Sequence, residues 1–251
     1  MPESPPFEPV RPVRAYERIV EQVEDRVLRG QLVAGERLPS EREMMAQFAV
    51  GRSTVREALR VLESGGMVRS RPGDPRGPEI MPFAPETLRK SISRMVRVEG
   101  VGLGELVQFR MLLEGSANQL AARLASAAEL AEMDAALAAM AAAIDEGYEA
   151  FSRADVAFHE VVARASRSTL IQVCGEVVRG VVLGLISHKI AHAADRRDLM
   201  VESLGHHTEV LDAVRSRDGQ RASRLARRTL HTYYAGYVAD EEQQLLDALL
   251  D

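Results

Sequence analysis

The stretch from Leu38 to Val68, LPSEREMMAQFAVGRSTVREALRVLESGGMV, constrains the fold of this chain more than any other. Pro39-Ser40 followed by Glu43 forms a capping box. The Ser40 hydroxyl accepts from the backbone three residues on, and the Glu43 carboxylate reaches back to the cap. Met44, Met45 and Phe48 give the helix that follows its apolar side. The chain then turns through Ala49, Val50 and Gly51 into a second helix over about Ser53 to Ser64, which stops at Gly65-Gly66. Val55, Leu59 and Leu62 recur at helical spacing and point inward. Arg52, Arg56 and Arg60 recur every four residues and share the outward face. A capped helix, a short turn and a second helix with an apolar inside and an arginine row outside read as a helix-turn-helix.

The flanking sequence extends this unit. Tyr16 to Gly30 is an amphipathic helix with Ile19, Val20, Val23 and Val27 as its stripe. After Gly66, residues Met67 to Arg71 alternate as a strand, Pro72-Gly73-Asp74-Pro75 is a turn, and Gly77 to Met81 returns as a second strand. Three helices and a hairpin make a winged helix over residues 13–81. Its wing tip, Arg71 to Arg76, carries two arginines and one aspartate, a charge pattern suited to a phosphate backbone. Residues 1–12 are proline-rich, lack apolar periodicity and read as a disordered arm.

Pro78, Pro82 and Pro85 mark a linker over residues 82–88. Beyond it the patterning is helical almost throughout, with helices expected at about 86–97, 103–125, 127–146, 149–165, 168–192, 196–217 and 219–246. Aromatics make up only 4% of the chain and Trp is absent, so a core must be aliphatic and alanine-rich, which favours helices. The expected fold is mainly α: an N-terminal winged helix-turn-helix domain and an all-helical bundle over residues 89–251, large enough to enclose a pocket. The net charge is −5, which argues against nucleic acid for the chain as a whole. Yet residues 1–80 hold thirteen arginines and thirteen acids, so the acid excess lies beyond the winged helix. The single cysteine, Cys174, excludes an internal disulfide framework, no run approaches a membrane span, and the N-terminus lacks a signal pattern; the expected location is the cytoplasm, with no membrane partner.

Three constellations carry chemistry. Charged helix faces are common, but the wing and the capped preceding helix give the arginine row a purpose: arginine grips guanine edges or phosphates. Ser53 and Thr54 at the helix start can donate to phosphate or base edges, and Arg42 lies on the helix that crosses the backbone. Asp155 and His159 stand four apart on one helix side; this is either a local hydrogen bond or two ligands of a divalent metal completed by a later histidine among His188, His192, His206, His207 and His231. Arg110 lies beside a stripe of Leu106, Phe109 and Leu113; it either pairs with Glu114 or binds an anion. No nucleotide-binding glycine loop or nucleophile elbow is present.

LPSERE followed by VGRSTVREALRVLESGGMV closely resembles the winged-helix domain of GntR-type bacterial transcription regulators, and the match covers about Tyr16 to Met81. It departs at Gly51, where relatives often carry Ser or Thr, and in the Asp74-Pro75-Arg76 wing. The resemblance places Arg42, Arg52, Ser53, Arg56 and Gly73 at DNA-contacting positions; Thr54 and Arg71 join them from the helix start and the wing. The remainder resembles the helical effector-binding domain of the FadR branch, often called FCD. By that likeness Arg110 stands near the effector pocket, and Asp155, His159 and His207 are metal ligands for one divalent ion (zinc, manganese or nickel). The fourth ligand position falls on Thr229, with His231 two residues on and about 200° round the helix. The rival to an occupied site is a metal-free pocket.

These readings imply a homodimeric regulator, a repressor, that binds a palindromic double-stranded operator under the control of a small anionic metabolite, a carboxylate or sugar acid. The alternatives are a metal-dependent enzyme on the helical domain and a DNA-binding protein without a ligand.

Overall fold

The structure, a computed structural model, describes residues 14–71, 74–191 and 196–250. The expected arm over residues 1–12, Gly73 of the wing and His192 lie outside the described residues, as does the side chain of His188. The chain divides into two compact units, Met1–Thr87 and Leu88–Asp251.

In the first unit, α1 (Ala15–Leu28) packs against α3 (Arg52–Ser64), and α2 (Glu41–Phe48) against α3. The capping box forms: Glu43 N donates to Ser40 Oγ at 3.4 Å and Ser40 N to Glu43 Oε2 at 2.8 Å. These bonds from Ser40 hold the Glu43 carboxyl below its ordinary range. Ile19, Val23, Met44, Val55, Leu59 and Leu62 form the core expected from their spacing. After Gly66, strands β1 (Val68–Arg69) and β2 (Glu79–Ile80) pair antiparallel, Val68 opposite Ile80 and Arg69 opposite Glu79. The hairpin is shorter than the alternating pattern predicts. Ser70 N donates to the Glu63 carboxylate at 2.9 Å instead of continuing the ladder. On the returning side only glycine fits at position 77: φ is +82°, and a Cβ would stand 2.1 Å from the Leu38 carbonyl oxygen.

The second unit is built of α4 (Pro85–Val98), α5 (Leu103–Leu124), α6 (Ala127–Ala143), α7 (Tyr148–Ala165), α8 (Thr169–Ala191), α9 (Arg196–Arg215), α10 (Gly219–Tyr234) and α11 (Asp240–Asp247). No strand occurs in it among the described residues. Helix α5 is the axis, packing against α7, α8, α9, α10 and α11. The start of α10 approaches so closely that a Cβ at Gly219 would meet the Gln119 carbonyl oxygen at 2.8 Å. One core joins Met133, Met140, Phe158 and Leu211; another joins Met111, Val178, Val182, Ile186 and Leu246.

Three expectations are corrected. The helix expected over 219–246 is two helices separated by a 3-10 turn at Ala235–Tyr237. The reversal lets α11 dock on α5, where the Glu242 carboxylate accepts from Gly104 N at 3.1 Å and the Leu245 carbonyl from Gln108 Nε2 at 2.8 Å. Phe109, read as core-facing, is 41% exposed, because Leu106, Val107, Arg110 and Met111 take the inward side of α5. Residues Thr169–Ile186 of α8 do reach the length and apolarity of a membrane-crossing helix, with a mean hydropathy of 1.7. Val177, Val178, Val181, Val182 and Ile186 are buried in the bundle, so α8 serves as a core helix.

Candidate functional site

On the first unit, Arg42, Arg52, Ser53, Arg56 and Arg60 are exposed, and Thr54 is half-buried. Helix α3 starts at Gly51 with no side-chain cap and no acid in its first turn. Its first N–H groups and the positive end of its dipole are therefore open to an anion. Arg52 has no ion-pair partner among the described residues. Arg56 Nε lies 3.5 Å from Glu41 and Arg60 Nη1 3.4 Å from Glu57, exposed pairs weak enough for a phosphate to displace.

The wing arginines are not equivalent. Arg71 is exposed, whereas Arg76 donates twice to Asp74, at 2.9 Å each. Arg37 adds a bond to Asp74 at 3.2 Å and reaches Gly77 O and Glu79. These bonds, from Arg76 above all, hold the Asp74 carboxyl well below the carboxylate range. Arg76 and Arg37 thus shape the hairpin. The part played by Arg37, outside the motif, was not read from the sequence.

On the second unit, a cavity of about 90 Å³ lies between α5, α7, α9 and α10. Arg110, Glu114, Asn118, Asp155, His159, His207 and Thr229 line it, with Tyr148, Tyr233 and Tyr234 on its wall. Five of the chain's eleven aromatic residues, these tyrosines with Phe151 and Phe158, line this one space. Asp155, His159 and His207 come together: one ligand atom from each lies within 4.8 Å of the others. His207 Nε2 is 3.2 Å from Asp155 Oδ1 and 3.3 Å from His159 Nε2.

The tautomers follow from the partners behind the rings. His159 Nδ1 faces the Glu114 carboxylate at 3.0 Å, and His207 Nδ1 faces the Ser203 carbonyl at 2.7 Å. Both partners only accept, so each Nδ1 carries hydrogen and each Nε2 presents its lone pair to the cavity. Two lone pairs and the Asp155 carboxylate then converge, an arrangement that calls for a cation, either a proton or a metal ion. Carboxylate or carbonyl behind a histidine is also the usual support of a metal-bound imidazole. The donor set, two imidazoles and one carboxylate, suits zinc, manganese or nickel.

The electrostatics agree. Burial pushes His159 down against the pull of Glu114 and Asp155. Burial also opposes the charge on His207, but its bond to Asp155 prevails and raises it. Burial would lift both acids, yet His159 and its neighbours hold Glu114 at about 2 and Asp155 below the carboxylate range. Arg110 is 2% exposed; its Nη1 donates to the Tyr234 hydroxyl at 2.5 Å, and its Nε is 3.8 Å from Glu114. Thr229 lines the cavity, whereas His231 Nε2 turns to Asp247 at 2.9 Å. The helix rotation between the two positions therefore takes His231 away from the other ligands.

Sequence reasoning missed the partners behind the ligands. Glu114, Ser203 and the buried Arg179, whose Nη1 donates to the Val156 carbonyl at 3.2 Å, were not assigned to the site. The row Arg110, Glu114, Asn118, spaced by four along α5, is the signal that points to Glu114.

The family profile described as "Bacterial regulatory proteins, gntR family" matches residues 15–75, and that of the FCD domain matches residues 105–232. A relative named "HTH-type transcriptional repressor NanR" from Edwardsiella tarda (strain FL6-60) is 30% identical over 224 residues, 88% of this chain and 84% of that protein. One of the same name from Salmonella arizonae is 29% identical over 239 residues, 92% of this chain and 87% of that protein. Among solved structures, "Streptococcus agalactiae GntR" shares the fold with a TM-score of 0.65 at 21% identity, covering 88% of this chain and 99% of that one.

Proposed function

This chain belongs to the gntR family of bacterial regulatory proteins and carries an FCD domain, and from that premise we propose that it is a homodimeric repressor whose operator affinity is set by a small anionic metabolite bound in the cavity of its helical unit. It is a DNA-binding transcription regulator and not an enzyme, which retires the metal-dependent enzyme as a reading of the helical unit. The observation that carries the proposal is the buried cavity holding Arg110 beside Asp155, His159 and His207.

Helix α3 enters the major groove through its N-terminal turn. Arg52 and Arg56 contact base edges, Ser53 and Thr54 donate to phosphate, and Arg42 and Arg71 grip the backbone on either side. Two copies reading half-sites about 34–36 Å apart require a palindromic operator. Asp155, His159 and His207 hold one divalent ion (zinc, manganese or nickel), which supplies positive charge for an anionic effector. Arg110, fixed on Tyr234, supplies a second anchor for a carboxylate or sugar acid. The effector changes operator affinity by binding the DNA-competent and DNA-incompetent states unequally. Such a regulator works in the cytoplasm, where its operator is.

The test is operator binding by fluorescence anisotropy, with and without a panel of carboxylates and sugar acids, in zinc- or manganese-loaded and chelated protein. A shift in operator affinity by one class of acid, lost in Arg110→Ala while DNA binding survives, is the expected result. Operator binding that no acid alters would leave a DNA-binding protein without a ligand.

A further inference from the structure

Among the described residues, two buried polar atoms of the cavity lining lack a hydrogen-bond partner, and they are of opposite kinds: Arg110 Nε is a donor and Asn118 Oδ1 an acceptor. Each residue is 2% exposed. Arg110 Nε is 3.8 Å from the Glu114 carboxylate, beyond hydrogen-bond reach. The orientation of Asn118 is set by its other end. Its Nδ2 donates to the Glu114 carbonyl oxygen at 2.9 Å, and since a carbonyl only accepts, the free atom is the oxygen. A buried acceptor without a donor is costly, and a ligand that supplies the donor removes that cost.

The two atoms mark the ends of a row. Arg110, Glu114 and Asn118 occupy successive turns of α5, and the outer two are about 12 Å apart along the axis. The Glu114 carboxylate between them is taken by His159. A ligand that meets both ends has an acceptor oxygen toward Arg110 and a donor toward Asn118. A simple carboxylate serves Arg110 alone and seals Asn118 from water. Hydroxyl is the donor that fits: Ser152, Ser203, Thr229 and Thr232 also line the cavity and offer hydroxyls to a hydroxylated ligand.

We infer that Asn118 determines the specificity of the effector site, and that the effector is a hydroxylated acid rather than a plain carboxylate. This rests on the reading of the cavity as the site of an anionic effector. The cavity, about 90 Å³, is small, which keeps the probes to about six carbons.

The experiment is calorimetric titration of the full-length, metal-loaded protein with two matched pairs: galactarate against adipate, and gluconate against hexanoate. Each pair shares carbon and carboxylate count and differs in hydroxyls. At least one hydroxylated acid binds about tenfold or more tighter than its plain partner. Asn118→Leu brings that ratio toward one by weakening the hydroxylated acid only; Asn118→Ala does the same if leucine does not fit. Equal affinity within both pairs in the wild type means that water satisfies Asn118 and overturns the inference, while leaving the cavity an acid site. A preference that survives both substitutions also overturns it, as does a uniform loss of affinity for all four acids, which marks a merely structural role. If none of the acids binds, the acid-site reading falls and the inference with it.

Discussion

Glu114 on α5 sets the direction of His159 on α7: its carboxylate takes the Nδ1 hydrogen at 3.0 Å and commits Nε2 to the cavity. It is therefore a partner of the metal site without being a ligand. Glu114→Gln should keep the fold and lower affinity for zinc or manganese by about 10–100-fold, measured by competition with a chelating dye. His231→Ala is the control: bonded to Asp247 and outside the cavity, it should leave metal affinity unchanged. A loss of affinity there would return His231 to the ligand set.

Metal binding should also depend on pH in a definite direction. His207 is raised above its ordinary value by the hydrogen bond to Asp155, against the effect of burial. In the metal-free site its Nε2 therefore keeps a proton to higher pH than an ordinary imidazole does, and an ion must displace that proton. Affinity should fall as pH is lowered through that raised value, by up to about tenfold per pH unit below it. Titrations in buffers of different ionisation enthalpy should show close to one proton released per ion; no release would mean that His207 is already neutral.

On the DNA-binding unit, Arg52 and Arg56 flank the uncapped start of α3 and should each carry about 1–3 kcal/mol of specific binding. Alanine at either position should raise the operator dissociation constant accordingly, and Arg60→Ala, further along the helix, should matter less. Arg76→Ala should act through the shape of the wing, since that side chain is bonded to Asp74. Unchanged affinity in both Arg52→Ala and Arg56→Ala would place the groove contact elsewhere.

Acid stability should report on a cap in the helical unit. Arg167 donates to both oxygens of Glu129, at 2.6 and 2.8 Å, and the backbone of Ser126, the N-cap of α6, adds a bond at 2.9 Å. Arg167 above all, with Ser126, holds the Glu129 carboxyl at about 2 against an ordinary value of 4.5. The folded state thus prefers the charged form. The stabilisation is complete above about pH 4.5 and is lost as pH falls toward 2. Glu129→Gln should cost about 1 kcal/mol at pH 7 and flatten the melting temperature over that window. An unchanged acid limb would show that other carboxylates control it.

How much of this was legible in the sequence follows the distance over which each feature is made. The capping box at Ser40 and Glu43, the glycine stop after α3 and the outward row of Arg52, Arg56 and Arg60 depend on residues within one helical turn, so local spacing determines them. The Asp155–His159 spacing is local too, and that pair was found. Its meaning was not local. Glu114 and His159 are 45 residues apart, and His207 is 48 further on. Only the packing of α5, α7 and α9 brings them together. Register on a helix separates Thr229 from His231, but only the break after Tyr234 and the docking of α11 give His231 its partner, Asp247. Sequence alone determined that the chain makes a winged helix-turn-helix and a helical bundle, because periodicity and caps act within a segment. Tertiary structure decided which polar residues meet in one buried space and which are left there without a partner, because burial belongs to the packed bundle and not to any one helix.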